Sequence, residues 1–109
     1  MEYYENENGE IAVLYSPGYG TGWSTCNSHV EIAYDKHVVE LFMKYQDYEI
    51  TVEEIENDLK EYFNTKYICM GGWTHLKIEW IPHGIPFRIR EYDGHEYIEY
   101  LNRAGFTTL

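Results

Sequence analysis

The rhythm of apolar positions along the chain changes near residue 65. Ile11-Ala12-Val13-Leu14-Tyr15 is an almost unbroken apolar run inside residues 10–16, the pattern of a strand covered on both faces. From residue 35 the spacing becomes helical. Asp35 stands where a helix cap belongs, ahead of Val38, Leu41, Phe42 and Tyr45. Thr51-Val52-Glu53-Glu54 has the form of a capping box, and Ile55, Leu59, Tyr62 and Phe63 mark the inner stripe of a second helix. After Lys66 the period drops to two. Residues 67–70 read as a short strand stopped by Gly71-Gly72, and residues 76–81 as another. Residues 87–92 and 95–101 flank Asp93-Gly94, the strongest hairpin signal in the chain. A two-residue turn there places Ile89 opposite Ile98 and Phe87 opposite Tyr100 on the core side. Arg90 then faces Tyr97, and Arg88 faces Glu99, on the other side. Residues 30–34 read as a short extended piece and residues 1–9 as a flexible acidic tail. The expected architecture is a single α+β domain over residues 10–109. It has an antiparallel or mixed sheet of about five strands, with residues 10–16 joined to the C-terminal strands and two helices on one face.

Composition narrows the function classes. At 109 residues the chain supports one modest core. Its 12 Tyr, three Trp and four Phe suit both a half-buried sheet and a binding surface. The net charge of −11 lies wholly in residues 1–65, where 14 Asp/Glu face only Lys36, Lys44 and Lys60; residues 66–109 are neutral. Such a charge repels nucleic acid directly; it serves solubility and can also attract a basic protein. No segment approaches the ~20 apolar residues of a membrane span. The acidic start, Met1-Glu2-Tyr3-Tyr4-Glu5, lacks the basic and apolar regions of a signal peptide, so a cytoplasmic location is expected. In that compartment Cys26 and Cys69 are expected as free thiols.

The most specialised stretch is Ser16-Pro17-Gly18-Tyr19-Gly20-Thr21-Gly22-Trp23-Ser24-Thr25, directly after the first strand. Its glycine spacing fits neither a P-loop nor a dinucleotide fingerprint. Successive backbone N–H groups in such a loop can form an anion-binding nest, and Trp23 can stack on a planar ring. Gly71-Gly72-Trp73-Thr74 repeats the chemistry, so Trp23 and Trp73 would either bracket a flat ligand or both lie in the core. Arg88 and Arg90 share one strand face and would either hold a phosphate or pair with Glu99 and lie on Tyr97. The candidate ligand-binding residues are therefore Gly18, Tyr19, Gly20, Gly22, Trp23, Ser24, Thr25, Trp73, Arg88 and Arg90. The five histidines are scattered with no metal-ligand spacing, Cys26 and His29 specify no nucleophile site, and no carboxylate pair stands out. A non-enzymatic protein without cofactor or metal is expected.

Gly22-Trp23-Ser24-Thr25, Gly71-Gly72-Trp73, the Lys77-Ile78-Glu79-Trp80 strand and the hairpin Phe87-Arg88-Ile89-Arg90-Glu91-Tyr92-Asp93-Gly94 together resemble a group of small proteins of bacteriophages and mobile elements. The likeness spans most of residues 10–101 and implies a phage-type origin; since many small phage proteins act by binding and neutralising a host defence component, a counter-defence protein that inhibits a bacterial immune system by binding is expected. One form of that activity is sequestration of a small anionic, nucleotide-like signalling ligand at the loop. The other is anti-CRISPR-type inhibition of a basic host defence protein, with Glu49, Glu53, Glu54, Glu56, Asp58 and Glu61 mimicking phosphates. The near-neutral, Tyr-rich hairpin (Tyr92, Tyr97, Tyr100) further suggests a homo-oligomer.

Overall fold

A computed structural model describes residues 2–18, 20–100 and 106–109. Strand β1 (Glu10–Tyr15) is followed by short 3-10 turns at Ser24–Cys26 and Val30–Ala33, then helices α1 (Lys36–Gln46) and α2 (Val52–Tyr62). A third 3-10 turn, Trp73–His75, leads into strands β2 (Lys77–Pro82), β3 (Arg88–Tyr92) and β4 (His95–Glu99). The α+β class holds, but the sheet is divided. β1 pairs antiparallel with β2, and β3 pairs antiparallel with β4, as two separate two-stranded sheets.

The register of β1 explains its continuous apolar run. Ala12 and Leu14 lie opposite Trp80 and Ile78, and this face joins Val38, Leu41 and Phe42 of α1 and Ile55 and Leu59 of α2 in one core. Val13 turns the other way, with Ile81, toward Ala33, Tyr34, Phe87, Ile89 and Ile98. The β1–β2 ribbon thus lies between the helices and the β3–β4 hairpin, and residues 11–14 meet apolar surface on both sides. Tyr100 Oη donates to Glu79 Oε2 at 2.5 Å, tying the end of the hairpin to β2. Burial, reinforced by that bond, raises the Tyr100 pKa well above the usual tyrosine range.

The hairpin forms in the register its sequence demands: Arg88 opposite Glu99, Ile89 opposite Ile98, Arg90 opposite Tyr97. Asp93 (φ 53) and Gly94 (φ 84) take the paired positive angles of a type I′ turn. Beyond the ladder, Phe87 bridges Thr107 rather than Tyr100. Both helices start at their predicted caps. Asp35 accepts from His37 N, and Thr51 and Glu54 form the reciprocal box.

Three expectations need correction. Residues 67–70 are not a strand, because the side-chain amide of Asn27 takes both backbone groups of Cys69 that a neighbouring strand would have used. Residues 30–33 wind into a 3-10 turn, closed by Ile32 N to His29 O and Tyr34 N to Glu31 O. Residues 2–9 are not a loose tail: Lys36 N donates to Glu2 O and Ala12 N to Tyr4 O, and the Tyr4 ring lies against Trp80.

Cys26 and Cys69 are joined in a disulfide, with Cα atoms 6.0 Å apart across 43 positions of sequence. The expectation of free thiols is overturned, because folding brings the turn after the glycine loop against residues 68–70. Disulfides persist chiefly in oxidising surroundings, so the cysteines no longer support a cytoplasmic location. Among the described residues, no helix is long and apolar enough to cross a membrane.

Both helices end in Schellman motifs. After α1, Tyr48 N donates to Tyr45 O and Glu49 N to Lys44 O, with Tyr48 at the left-handed position (φ 59). After α2, Asn64 (φ 50) occupies the same place. Asn tolerates that conformation; tyrosine is strained by it. Tyr48→Gly is therefore expected to stabilise the fold by about 1 kcal/mol, measured by urea denaturation. Reducing and alkylating the disulfide is expected to cost about 4 kcal/mol in the same assay, from the length of chain it closes.

Candidate functional site

The glycine loop does form an anion nest, and the anion is the chain's own. Glu96 on β4 is fully buried, at 0% exposure. Its Oε1 accepts from Ser16 N at 2.8 Å. Its Oε2 accepts from Trp23 N at 2.8 Å, Thr25 N at 3.0 Å and Thr25 Oγ1 at 2.6 Å. Glu96 N returns a bond to Ser16 O, so strand end and hairpin are stitched in both directions. Four donors converge on two oxygens, and that donor set fits a carboxylate, which would otherwise be costly to bury.

Neighbouring glycines allow this closure. Gly22, at φ 78, turns the chain so that the next N–H points inward, and a side chain there would press on the Thr25 hydroxyl and the Glu96 carboxylate. Gly94 sits against the Gly20 carbonyl, where a Cβ would overlap it. Gly72 likewise approaches the Gly22 carbonyl, and Gly18 lies against the His75 ring. Glycine at 18 and 22 thus serves close contact inside the protein, whereas Gly20, at φ 141, has open space where a Cβ would stand and offers only its carbonyl to Gly94. Tyr19 lies outside the described residues.

The predicted aromatic clamp is a core pair. Trp23 and Trp73 are both buried, with ring centroids 5.2 Å apart in an edge-to-face contact. Trp23 Nε1 donates to Ile32 O at 3.0 Å, and Trp73 also meets Phe42 and Tyr45. Neither ring has a face free for a ligand, so their assignment as stacking residues is withdrawn. The β period carries Arg88 and Arg90 to one face as expected, but both point at Glu99, at 3.4 and 3.7 Å. The Arg88 guanidinium also lies over the Phe106 ring, at 4.7 Å.

What remains of the predicted constellation is a groove of about 360 Å³ lined by Ser24, Thr25, Val30, Tyr34, Phe87, Arg88, Ile89 and Thr107. It brings two loop hydroxyls beside one of the two arginines; Arg90 is not part of it. The Thr25 hydroxyl is already committed to Glu96, and Arg88 to Glu99.

Two features escaped the sequence reading. One is a string of side chains between the helices. Tyr62 Oη donates to both oxygens of buried Asp35, at 3.1 and 3.0 Å, and stacks on His37, whose Nε2 lies 2.6 Å from Asp58. Burial and the Asp35 carboxylate raise the Tyr62 pKa. The other is a cavity of about 440 Å³ at the α1–α2 turn, lined by Tyr45, Gln46, Tyr48, Glu49, Ile50, Thr51 and Glu54. Nothing in the helical stripes announces it, because it depends on the turn that Tyr48 makes.

The acidic residues singled out on and before α2 are all on the surface. Glu49, Glu53, Glu54 and Glu61 are exposed, while Glu56 and Asp58 are half-buried. Glu56 pairs with Lys60 at 3.1 Å, and Asp58 with His37. Comparison with known proteins identifies no relative: no family model, curated protein or solved structure matches the chain.

The Glu96 geometry sets a test of the nest. Glu96→Gln keeps the shape but turns an amide NH₂ against backbone donors, and is expected to destabilise the fold by about 3 kcal/mol in denaturant titration. Arg90→Ala, at an exposed pair, should change stability by less than about 1 kcal/mol.

Proposed function

We propose that the protein is a non-enzymatic, phage-type counter-defence protein that works by docking its acidic helical face on a basic host defence protein. The observation that carries this reading is the contrast between the two candidate sites. The loop's anion-binding donors are taken by Glu96, and Trp23 and Trp73 by the core. Glu49, Glu53, Glu54 and Glu61, in contrast, stand exposed at the surface, and among the described residues only Glu56 and Asp58 of this set are ion-paired, with Lys60 and His37. Glu53 and Glu61 lie on the outer side of α2, opposite Ile55 and Leu59 in the core, and Glu56 stands at its flank. A row of carboxylates on a rigid helix suits a surface built to hold nucleic acid phosphates. The host cytoplasm is the place of action in this reading, on the strength of the target and not of the cysteines, and no cofactor, metal or membrane contact is required.

Sequestration of a small nucleotide-like ligand is the second reading. It is now confined to the groove at Ser24, Thr25 and Arg88, since these are the predicted ligand residues that line one cavity. Assembly of two copies through the hairpin belongs to either reading and is favoured by Tyr92 and Tyr97, which are exposed on it.

The readings separate in cells carrying an active defence system. Wild-type protein is expected to restore phage plating, and Glu53→Lys, Glu56→Lys, Glu61→Lys in combination should abolish that effect while leaving the melting curve in place. Binding to the purified defence protein should weaken about tenfold or more between roughly 0.05 and 0.5 M salt. A triple variant that still protects phage would remove the acidic-face reading. Calorimetric heat with a cyclic or linear nucleotide, lost in Arg88→Ala, would put the groove in its place.

A further inference from the structure

We infer that the cavity at the α1–α2 turn is a receptor for one arginine side chain of the partner protein. This rests on the acidic-face reading above and adds to it a defined pocket and a ligand chemistry.

Tyr48 is the most conspicuous residue on the surface. Its ring is 96% exposed, so it gains almost nothing from packing, yet it occupies a left-handed position where glycine is the ordinary choice. The result is an aromatic ring held out on a hydrogen-bonded turn beside a cavity of about 440 Å³. A second ring, Tyr45, lines the same cavity and is fixed from behind by Trp73, at 5.6 Å between centroids. Ile50 adds an apolar surface. Glu49 and Glu54 bring two carboxylates, and among the described residues no Lys, Arg or His lines the space. Glu54 is oriented by its capping box, since Oε1 accepts from Thr51 N at 3.1 Å and Thr51 Oγ1 at 2.9 Å. Among the described residues its Oε2 accepts no such bond. The carboxyl end of α1, with its partial negative charge, closes the cavity at Tyr45 and Gln46.

Aromatic faces, a short apolar wall and two carboxylates match an arginine: a flat, weakly hydrated cation on an apolar stem. The planar guanidinium can stack on a tyrosine while its N–H groups reach a carboxylate. A lysine ammonium fits the charge but not the stacking. Free anions and nucleic acid are opposed by the same carboxylates. The occupant is thus a basic protein surface, engaged at this point by one inserted arginine and elsewhere by long-range attraction to α2.

The test is a titration of the ¹⁵N-labelled protein with acetylated hexa-arginine, and separately with hexa-lysine, followed by backbone amide shifts. Saturable shifts are expected at residues 45–51 and 54, with hexa-arginine binding more tightly than hexa-lysine. Tyr48→Gly should weaken hexa-arginine binding about tenfold although it folds at least as stably as wild type, and Tyr48→Phe should retain it. Shifts restricted to the outer side of α2 with silent pocket amides, or binding unchanged in Tyr48→Gly, would overturn the pocket and leave the acidic-face reading standing. No binding of either peptide would overturn both. A saturable pocket in a protein that fails to protect phage would support the arginine receptor and remove the defence target instead.

Discussion

A carboxylate buried without partners is among the most expensive groups a small protein can hold, and this fold is arranged around one that is fully provided for. Glu96 comes from the last strand, while its donors come from the end of the first strand and the loop beyond it. The loop must therefore curl until three backbone N–H groups and one hydroxyl face inward. The hairpin must also dock so that Ser16 and Glu96 exchange bonds. Gly22 follows from this requirement, since a side chain there would meet the Thr25 hydroxyl and the Glu96 carboxylate. So does the fate of the expected ligand site: a nest already filled by a tethered anion has no donors left for a free one.

Local signals in the sequence were reliable where the energetics are local. The caps at Asp35 and Thr51, the Asp93-Gly94 turn and the pairing of Ile89 with Ile98 each depend on a few adjacent residues, and all form as their chemistry requires. Whatever depends on distant partners was hidden. Cys26 finds Cys69, and Asn27 replaces a strand beside residues 67–70, only because the chain folds back over some 40 positions. Trp23 and Trp73 read equally well as clamp or core until their mutual contact is seen. One clue was present. The hairpin register puts Glu96 on the same face as Ile98, and an acidic residue on a core face demands a partner from elsewhere.

The tyrosines divide between two kinds of work. Tyr62 and Tyr100 use their hydroxyls to bind Asp35 and Glu79, joining elements that would otherwise meet through apolar contact alone. Tyr48, Tyr67 and Tyr92 instead present most of their rings to solvent. Charge is divided as sharply, with the acidic excess carried by the half of the chain that contains both helices. Hydrogen-bonded polar residues near the glycine loop tie the hairpin to the apolar core, and the helices bury their inner stripes in that core while their charged faces turn outward.

The tight approach of Gly94 to Gly20 also has a consequence for synthesis on the ribosome. The loop cannot be clasped by the hairpin until a residue more than 70 positions later has left the exit tunnel, and its inward N–H groups have no protein carboxylate until Glu96 follows. The helices, whose contacts are short in sequence, can assemble well before then. A nascent chain halted before residue 94 would hold its acidic helical surface in finished form above an unclosed base. Maturation of the protein is in this sense a late, single event, the arrival of one hairpin.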